Sequence, residues 1–318
     1  MQPRFFKSWF GAILLALPLL AAAPRGAMSE QFASPDAAVD SLVATVRAHD
    51  VAQLRNLFGE AGLRDVSAGD PVANETQREK FIAAYDAKHA IDVKGDTATL
   101  SIGADDWPFP IPLKHEAQGW SFDVAAGREE ILDRRIGADE LYTQQVMLAY
   151  VDVQNEYFES LHDGGKVHVY AQHLLSSPGK QDGLYWPTEE GQPQSPLGAL
   201  IAEAHAAGYH PGENVEPQPF HGYYFHILAG QGPHAPGGAY NYVANGLMIG
   251  GFGLVAWPAH WGNTGVMTFV VNQDGEIYEK DLGPTTAAVA KAMTRFDVDT
   301  TWQKVGAPAP IAGETDED

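Results

Sequence analysis

The chain contains no cysteine, has few bases and carries no long apolar run beyond its first twenty residues. Each absence excludes a class of protein. Without thiols there are no disulfides, no thiolate nucleophile and no cysteine-ligated metal, so stability must come from packed apolar cores. The 20 Lys and Arg face 41 Asp and Glu, a formal net charge of −21. A surface of that sign repels phosphate backbones and anionic lipid, so nucleic acid and membrane surfaces are not expected partners. No later stretch offers the roughly 20 apolar residues that a membrane-spanning helix needs, and the mature chain is expected to be soluble.

What is present begins with an export signal. Arg4 and Lys7 precede an apolar run from Trp9 to Leu20, and Ala21, Ala22 and Ala23 follow. A basic start, a short apolar core and small residues are the pattern of a secretory signal, read here as residues 1–27. With no cysteine after the apolar run, a lipid anchor is excluded. Arg4, Lys7 and Arg25 leave with the signal while all 41 acids stay, which takes the net charge from −21 to −24. An exported chain free of cysteine fits a bacterial envelope, periplasmic or secreted. Residues 306–318, ending in Glu314-Thr-Asp-Glu-Asp318, read as a disordered acidic tail.

The mature length suggests two modules. Ser34-Pro35-Asp36 reads as a helix start, with Ala38, Leu42, Val43 and Val46 on one face. A second short helix ends at Gly59, and a third covers residues 75–87. The period then changes to two over residues 90–93, 97–102, 111–113 and 119–123, a curled antiparallel sheet. From about Ala138 a long helix is expected to run to Leu161. A loop rich in Pro, Gly and Gln follows over residues 176–218, with one short helix at 197–207. Residues 222–283 read as a four-stranded antiparallel meander: Tyr223–Leu228, Gly253–Trp257, Val266–Val271 and Glu276–Lys280. Asp274-Gly275 is read as a hairpin turn with both residues at positive φ. The class is α+β, with modules at 32–135 and 138–305.

Several motifs in one order carry a resemblance. Trp107-Pro-Phe-Pro-Ile-Pro112, Gly119-Trp120, Arg134-Arg-Ile-Gly137, Asp182-Gly-Leu-Tyr-Trp-Pro187, Gly237-Gly238 with Tyr242, and Met267-Thr-Phe with Asp274-Gly275 and Lys280-Asp-Leu-Gly283 together resemble a family of exported bacterial proteins catalogued only as a domain of unknown function. That resemblance implies location and no activity. The first module resembles the cone fold of nuclear-transport-factor-like domains, which implies a pocket between helices and sheet. The second resembles a pilin globular head, without the apolar helix half that packs a filament. Fold analogy supplies no function in either case.

The chemistry is sparse. Of the twelve histidines, His162, His168 and His173 lack zinc-site spacing, and His221 and His226, five apart on a strand, point to opposite faces. No loop carries alternating calcium-binding acids, and the Gly-rich stretches at 237–238 and 246–253 read as turns and bulges. Ser195 precedes Pro196 and has no nucleophile elbow, and Glu129-Glu130 and Asp105-Asp106 are poor acid/base pairs. No catalytic residue, metal or cofactor is expected.

Aromatic rings in loops remain. Trp107 and Trp120 are expected to plug core ends, whereas Tyr185, Trp186, His260 and Trp261 are expected to form a contact surface. The chain thus reads as a non-catalytic binding or interaction component whose partner is an envelope protein or a small molecule. The alternative is an envelope hydrolase acting on sugar or peptide through the N-terminal pocket. Mass spectrometry of the mature protein should find its N-terminus between residues 22 and 29; an intact Met1 on a cytoplasmic protein would refute the export reading.

Overall fold

The computed structural model describes residues 29–67, 71–189, 191–206, 209 and 218–306. The expected signal, the acidic tail from residue 307 and parts of the long loop lie outside the described residues.

Ser34 caps the first helix, α1 (Pro35–Arg47), its Oγ accepting from the Ala37 amide at 3.1 Å. Asp50 caps α2 (Val51–Val66) in the same way. Gly59 does not end α2. It breaks the helix at φ 70°, ψ 170°, and the chain resumes helical geometry to Val66. The third helix, α3, covers Pro71–Ala87. Behind these lies a sheet of β1 (His89–Lys94), β2 (Thr97–Ile102), β3 (Trp107–Pro108), β4 (Leu113–Glu116) and β5 (Gly119–Phe122). Its order is β1-β2-β4-β5, all antiparallel, with β3 paired to β2. Pro108, Pro110 and Pro112 lack amide donors, so the stretch around Ile111 packs into the core without joining a ladder. Gly119 sits at φ +129°, and a Cβ there would lie 2.4 Å from the Phe32 carbonyl that pairs with Trp120.

The layer between helices and sheet is filled. Leu42, Leu57, Leu100, Ile111 and Leu113 are almost wholly buried. Phe58 meets Phe122 edge-on at 5.4 Å, and Phe109 bridges Phe81 and Phe122. Trp120 plugs this core at 9% exposure. Trp107 does not: it is 60% exposed, on the two-residue margin of the sheet, under the Arg134 guanidinium at 4.4 Å.

The longest helix, α4, runs from Val124 to Phe158 and starts well before Ala138. Asp123 caps it through the Ala126 amide. The Arg- and Glu-rich stretch at residues 127–135 is therefore helix surface, tied by a Glu130–Arg134 ion pair one turn apart. Gly127 permits the close approach, since a Cβ would meet the Pro110 carbonyl oxygen at 2.5 Å. Val124 and Ile131 belong to the N-terminal core, while Met147, Tyr150 and Tyr157 belong to the next one.

After α4 come β6 (His173–Leu175), β7 (Gly183–Tyr185), α5 (Gly198–Ala206), β8 (Tyr223–Leu228), β9 (Gly230–Gln231), β10 (Tyr240–Asn241), β11 (Val243–Ala244), β12 (Leu247–Met248), β13 (Gly253–Pro258), β14 (Met267–Asn272) and β15 (Ile277–Asp281). Helix α6 (Thr286–Ala292) and strands β16 (Arg295–Phe296) and β17 (Gln303–Lys304) close the described chain. The main sheet has the order β17-β15-β14-β13-β8, so the four meander strands are neighbours and β17 adds a fifth. β13 is buried along its whole length. Leu254 and Ala256 face the core beneath α4, while the alternate residues Val255 and Trp257 face the core beneath α6.

Gln154 is fully buried in the α4 stripe and holds both backbone groups of Ala171 at 2.9 Å. Its amide also donates to the Tyr150 hydroxyl, which donates to the Gly253 carbonyl.

The Asp274-Gly275 turn differs from expectation. Only Gly275 has positive φ, at +73°, and its amide bonds the Asn272 carbonyl at 3.0 Å. A four-residue turn with a left-handed final glycine thus closes the Val271–Ile277 pair. A hairpin turn with both central residues at positive φ is found instead at Asn245-Gly246, between β11 and β12. Nothing lies within 4 Å of a Cβ at Gly275, so Gly275→Val should cost backbone strain alone. We expect the denaturant midpoint to fall by the equivalent of about 1–3 kcal/mol.

Candidate functional site

The four sequence-proposed residues fall into two places. Tyr185 ends β7 and Trp186 follows it, both half-buried. The Trp186 ring lies 6.3 Å from Tyr157 and 5.7 Å from His162, each edge to face. His162 stacks on Tyr157 at 3.7 Å; its Nε2 meets the Tyr157 carbonyl at 2.7 Å, so that nitrogen carries the proton. Its Nδ1 is buried with no partner among the described residues. The Tyr157 hydroxyl donates to the Gln181 carbonyl. Burial, aided by Asp163 and Asp182, pushes this phenol up to about 12.

His260 and Trp261 occupy the β13–β14 loop and are exposed. Trp261 Nε1 donates to Asp281 at 2.8 Å. The loop is pinned to α4: Glu140 accepts from the Val266 and Met267 amides at 2.8 and 2.9 Å, and Arg135 bonds Asn263. Burial, then the nearby Glu140, raises the Glu279 carboxyl above the usual range. Trp186 is anchored near Tyr157 and Trp261 near Glu140. Those points are seventeen residues, roughly 26 Å, apart along α4.

An open concavity lies elsewhere, on the small sheet of order β10-β9-β16. Gly232, Pro233, Ala239, Tyr240, Asn241 and Arg295 line an open depression of about 310 Å³. Its supports form a connected set. Gln231, fully buried, donates from Nε2 to the Pro236 and Gly238 carbonyls at 2.6 and 2.8 Å. Its Oε1 accepts from the Tyr242 hydroxyl at 3.2 Å. Tyr242 in turn packs against Tyr240, rings 5.6 Å apart at 73°. Gly237 and Gly238 have φ of +84° and +76°, which lets the loop fold back over Gln231. Arg295 reaches across the sheet to the Gln231 and Tyr240 carbonyls and to Asn241. Gly230 leaves it room, because a Cβ there would come within 2.9 Å of Arg295 Nη1.

A family model described as a protein of unknown function, DUF2950, matches residues 29–305. The chain belongs to that family. No curated protein and no solved structure matches it. For this DUF2950 chain the geometry therefore has to speak for itself. Among the described residues no group of three His, Asp or Glu is arranged to hold a metal ion, and no helix is long and apolar enough to cross a membrane.

Tyr240 and Asn241 had one trace in the sequence, the Gly237-Gly238 and Tyr242 motif beside them. Arg295 had none, because it comes from a strand of two residues. The two tryptophans should separate on truncation. Trp186→Ala removes a ring packed on Tyr157 and should cost about 2–3 kcal/mol, less than a fully buried aromatic. Trp261→Ala, at 40% exposure, should cost about 1 kcal/mol or less. Thermal melts of both variants check the order.

Proposed function

We propose that this DUF2950 chain is an exported, non-catalytic binding component of a bacterial cell envelope, its partner an envelope protein or a small molecule. The observation that supports this best is the filled interior of the N-terminal unit. A hydrolase working between those helices and that sheet would need a cavity with titratable groups converging in it. Phe58, Phe81, Phe109 and Phe122 occupy that place, packed ring to ring. The titratable contacts of the unit, such as Arg47–Asp86 and Lys88–Asp106, lie on its exposed outside. Polar side chains and an exposed ring meet instead in the depression beside Arg295, on a sheet whose supports are buried. That is the arrangement of a preformed binding surface.

The test is cross-linking of the tagged full chain in native envelope, together with turnover assays on fluorogenic glycoside and peptide substrates. We expect a saturable set of cross-linked partners or ligands and no product release. Product release in proportion to protein concentration would overturn the reading in favour of the hydrolase.

A further inference from the structure

Arg295 stands out electrostatically. In a chain of net charge −21 most described Arg and Lys side chains lie beside a carboxylate, as Arg47, Arg55, Arg78 and Arg128 do. Arg295 bonds neutral groups instead: the Gln231 carbonyl at 3.0 Å, the Tyr240 carbonyl at 3.3 Å and Asn241 Oδ1 at 2.6 Å. Asp297, two residues further on, is held by the amide and ring of His234 at 2.8 and 3.1 Å. A guanidinium has five N–H donors. Nη1 serves two carbonyls and Nη2 one side-chain oxygen, while Nε makes no hydrogen bond among the described contacts, so the Nε–Nη2 edge keeps donors to offer. A guanidinium edge with two donors matches the two oxygens of a carboxylate.

The neighbours add two further features. Asn241 spends its carbonyl oxygen on Arg295, which orients the amide and leaves Nδ2 to donate to a hydroxyl. Tyr240 is 38% exposed, yet its ring is fixed against buried Tyr242, so it is a rigid apolar wall whose ordering cost is already met in the free protein. Beneath them the central strand β9 is paired on both edges, to β10 and to β16, and Pro233 has no amide hydrogen. The central strand therefore offers no free ladder to an extended peptide.

We infer that the depression is a binding site for a sugar acid, with Arg295 taking the carboxylate, Asn241 a hydroxyl and Tyr240 one face of the pyranose ring. The inference rests on the binding reading above and gives it a ligand class. Glycans bearing uronate-type carboxylates are the matching chemistry. A peptide C-terminus shares the carboxylate and lacks the ring and hydroxyls that the other two side chains serve.

Calorimetric titration of the mature protein with a galacturonate disaccharide, a neutral galactose disaccharide and acetyl-dialanine with a free carboxylate tests this. The uronate should bind at least about tenfold more tightly than either control. Arg295→Gln should weaken it about 10- to 100-fold, the loss expected of a charged hydrogen-bonding pair. Because Arg295 also ties three strands together, Tyr240→Ala serves as the second variant. Its side chain makes no hydrogen bond among the described contacts, and it should lose about three- to tenfold. Trp107→Ala, on the N-terminal sheet and outside the depression, should bind as the parent does. Equal binding of the neutral sugar, tighter binding of the peptide, or undiminished uronate binding by both Arg295→Gln and Tyr240→Ala would overturn the assignment. So would absence of uronate binding in the parent. If the parent gives envelope cross-links but binds no uronate, the ligand assignment fails and the binding function stands. Absence of both from the parent removes the two together.

Discussion

The guanidinium of Arg135 cannot shed its charge, so its burial in the middle of α4 has to be met by acceptors. It finds them on both sides: the Asp65 and Ser67 carbonyls at the end of α2, and the Asn263 side chain in the β13–β14 loop. Asp65 and Asp139 add favourable charge against the desolvation that pulls the group's proton affinity down. One side chain thus sets the N-terminal unit against the C-terminal sheet. α4 does the same through apolar contact. Its 35 residues, roughly 52 Å of helix, pass through two cores without a break. The two units are separate in their cores and joined in their backbone, and Arg134 adds a further tie by gripping Trp107 and the Pro108 carbonyl.

Much of this was written locally. The Ser34 cap, the period-two runs of the N-terminal sheet and the four meander strands all come from side-chain alternation and turn residues that act within a few positions. Where contacts between distant segments decide, local pattern fails. Gly127 and Gly137 look like helix breakers, yet α4 runs through both, because Gly127 lets the helix lie on the Pro110 carbonyl. Trp107 looks like a core residue until its two-residue strand is placed at the sheet margin beside an arginine from another element. Asn245-Gly246 opens a stretch that reads only as turns and bulges, because its flanking strands have two residues each.

The depression beside Arg295 was harder still to read. Its guanidinium, its aromatic wall and its buried brace come from three short strands, and none of these has enough residues to show a period. What assembles them is Gln231, a polar side chain fully enclosed and satisfied through three hydrogen bonds. Buried amides of this kind fix a loop more tightly than apolar packing does, since every alternative arrangement leaves a donor or acceptor unpaired. Gln154 has the same role under α4, where it holds Ala171 in place. Two glutamines, neither marked in the sequence by charge or periodicity, position much of the irregular backbone of the second unit.

The division of α4 between two cores also bears on how the chain matures as it emerges N-terminus first. Once Val124 and Ile131 have appeared, the first unit has every segment that its core requires. The other half of the helix is in a different position. Its stripe of Met147, Tyr150 and Tyr157 has to wait for Leu254, Phe269 and Val271, which arrive far later. During that interval a newborn chain carries a finished head and a naked greasy rod. A segment left bare in this way is prone to self-association until the later strands arrive to cover it.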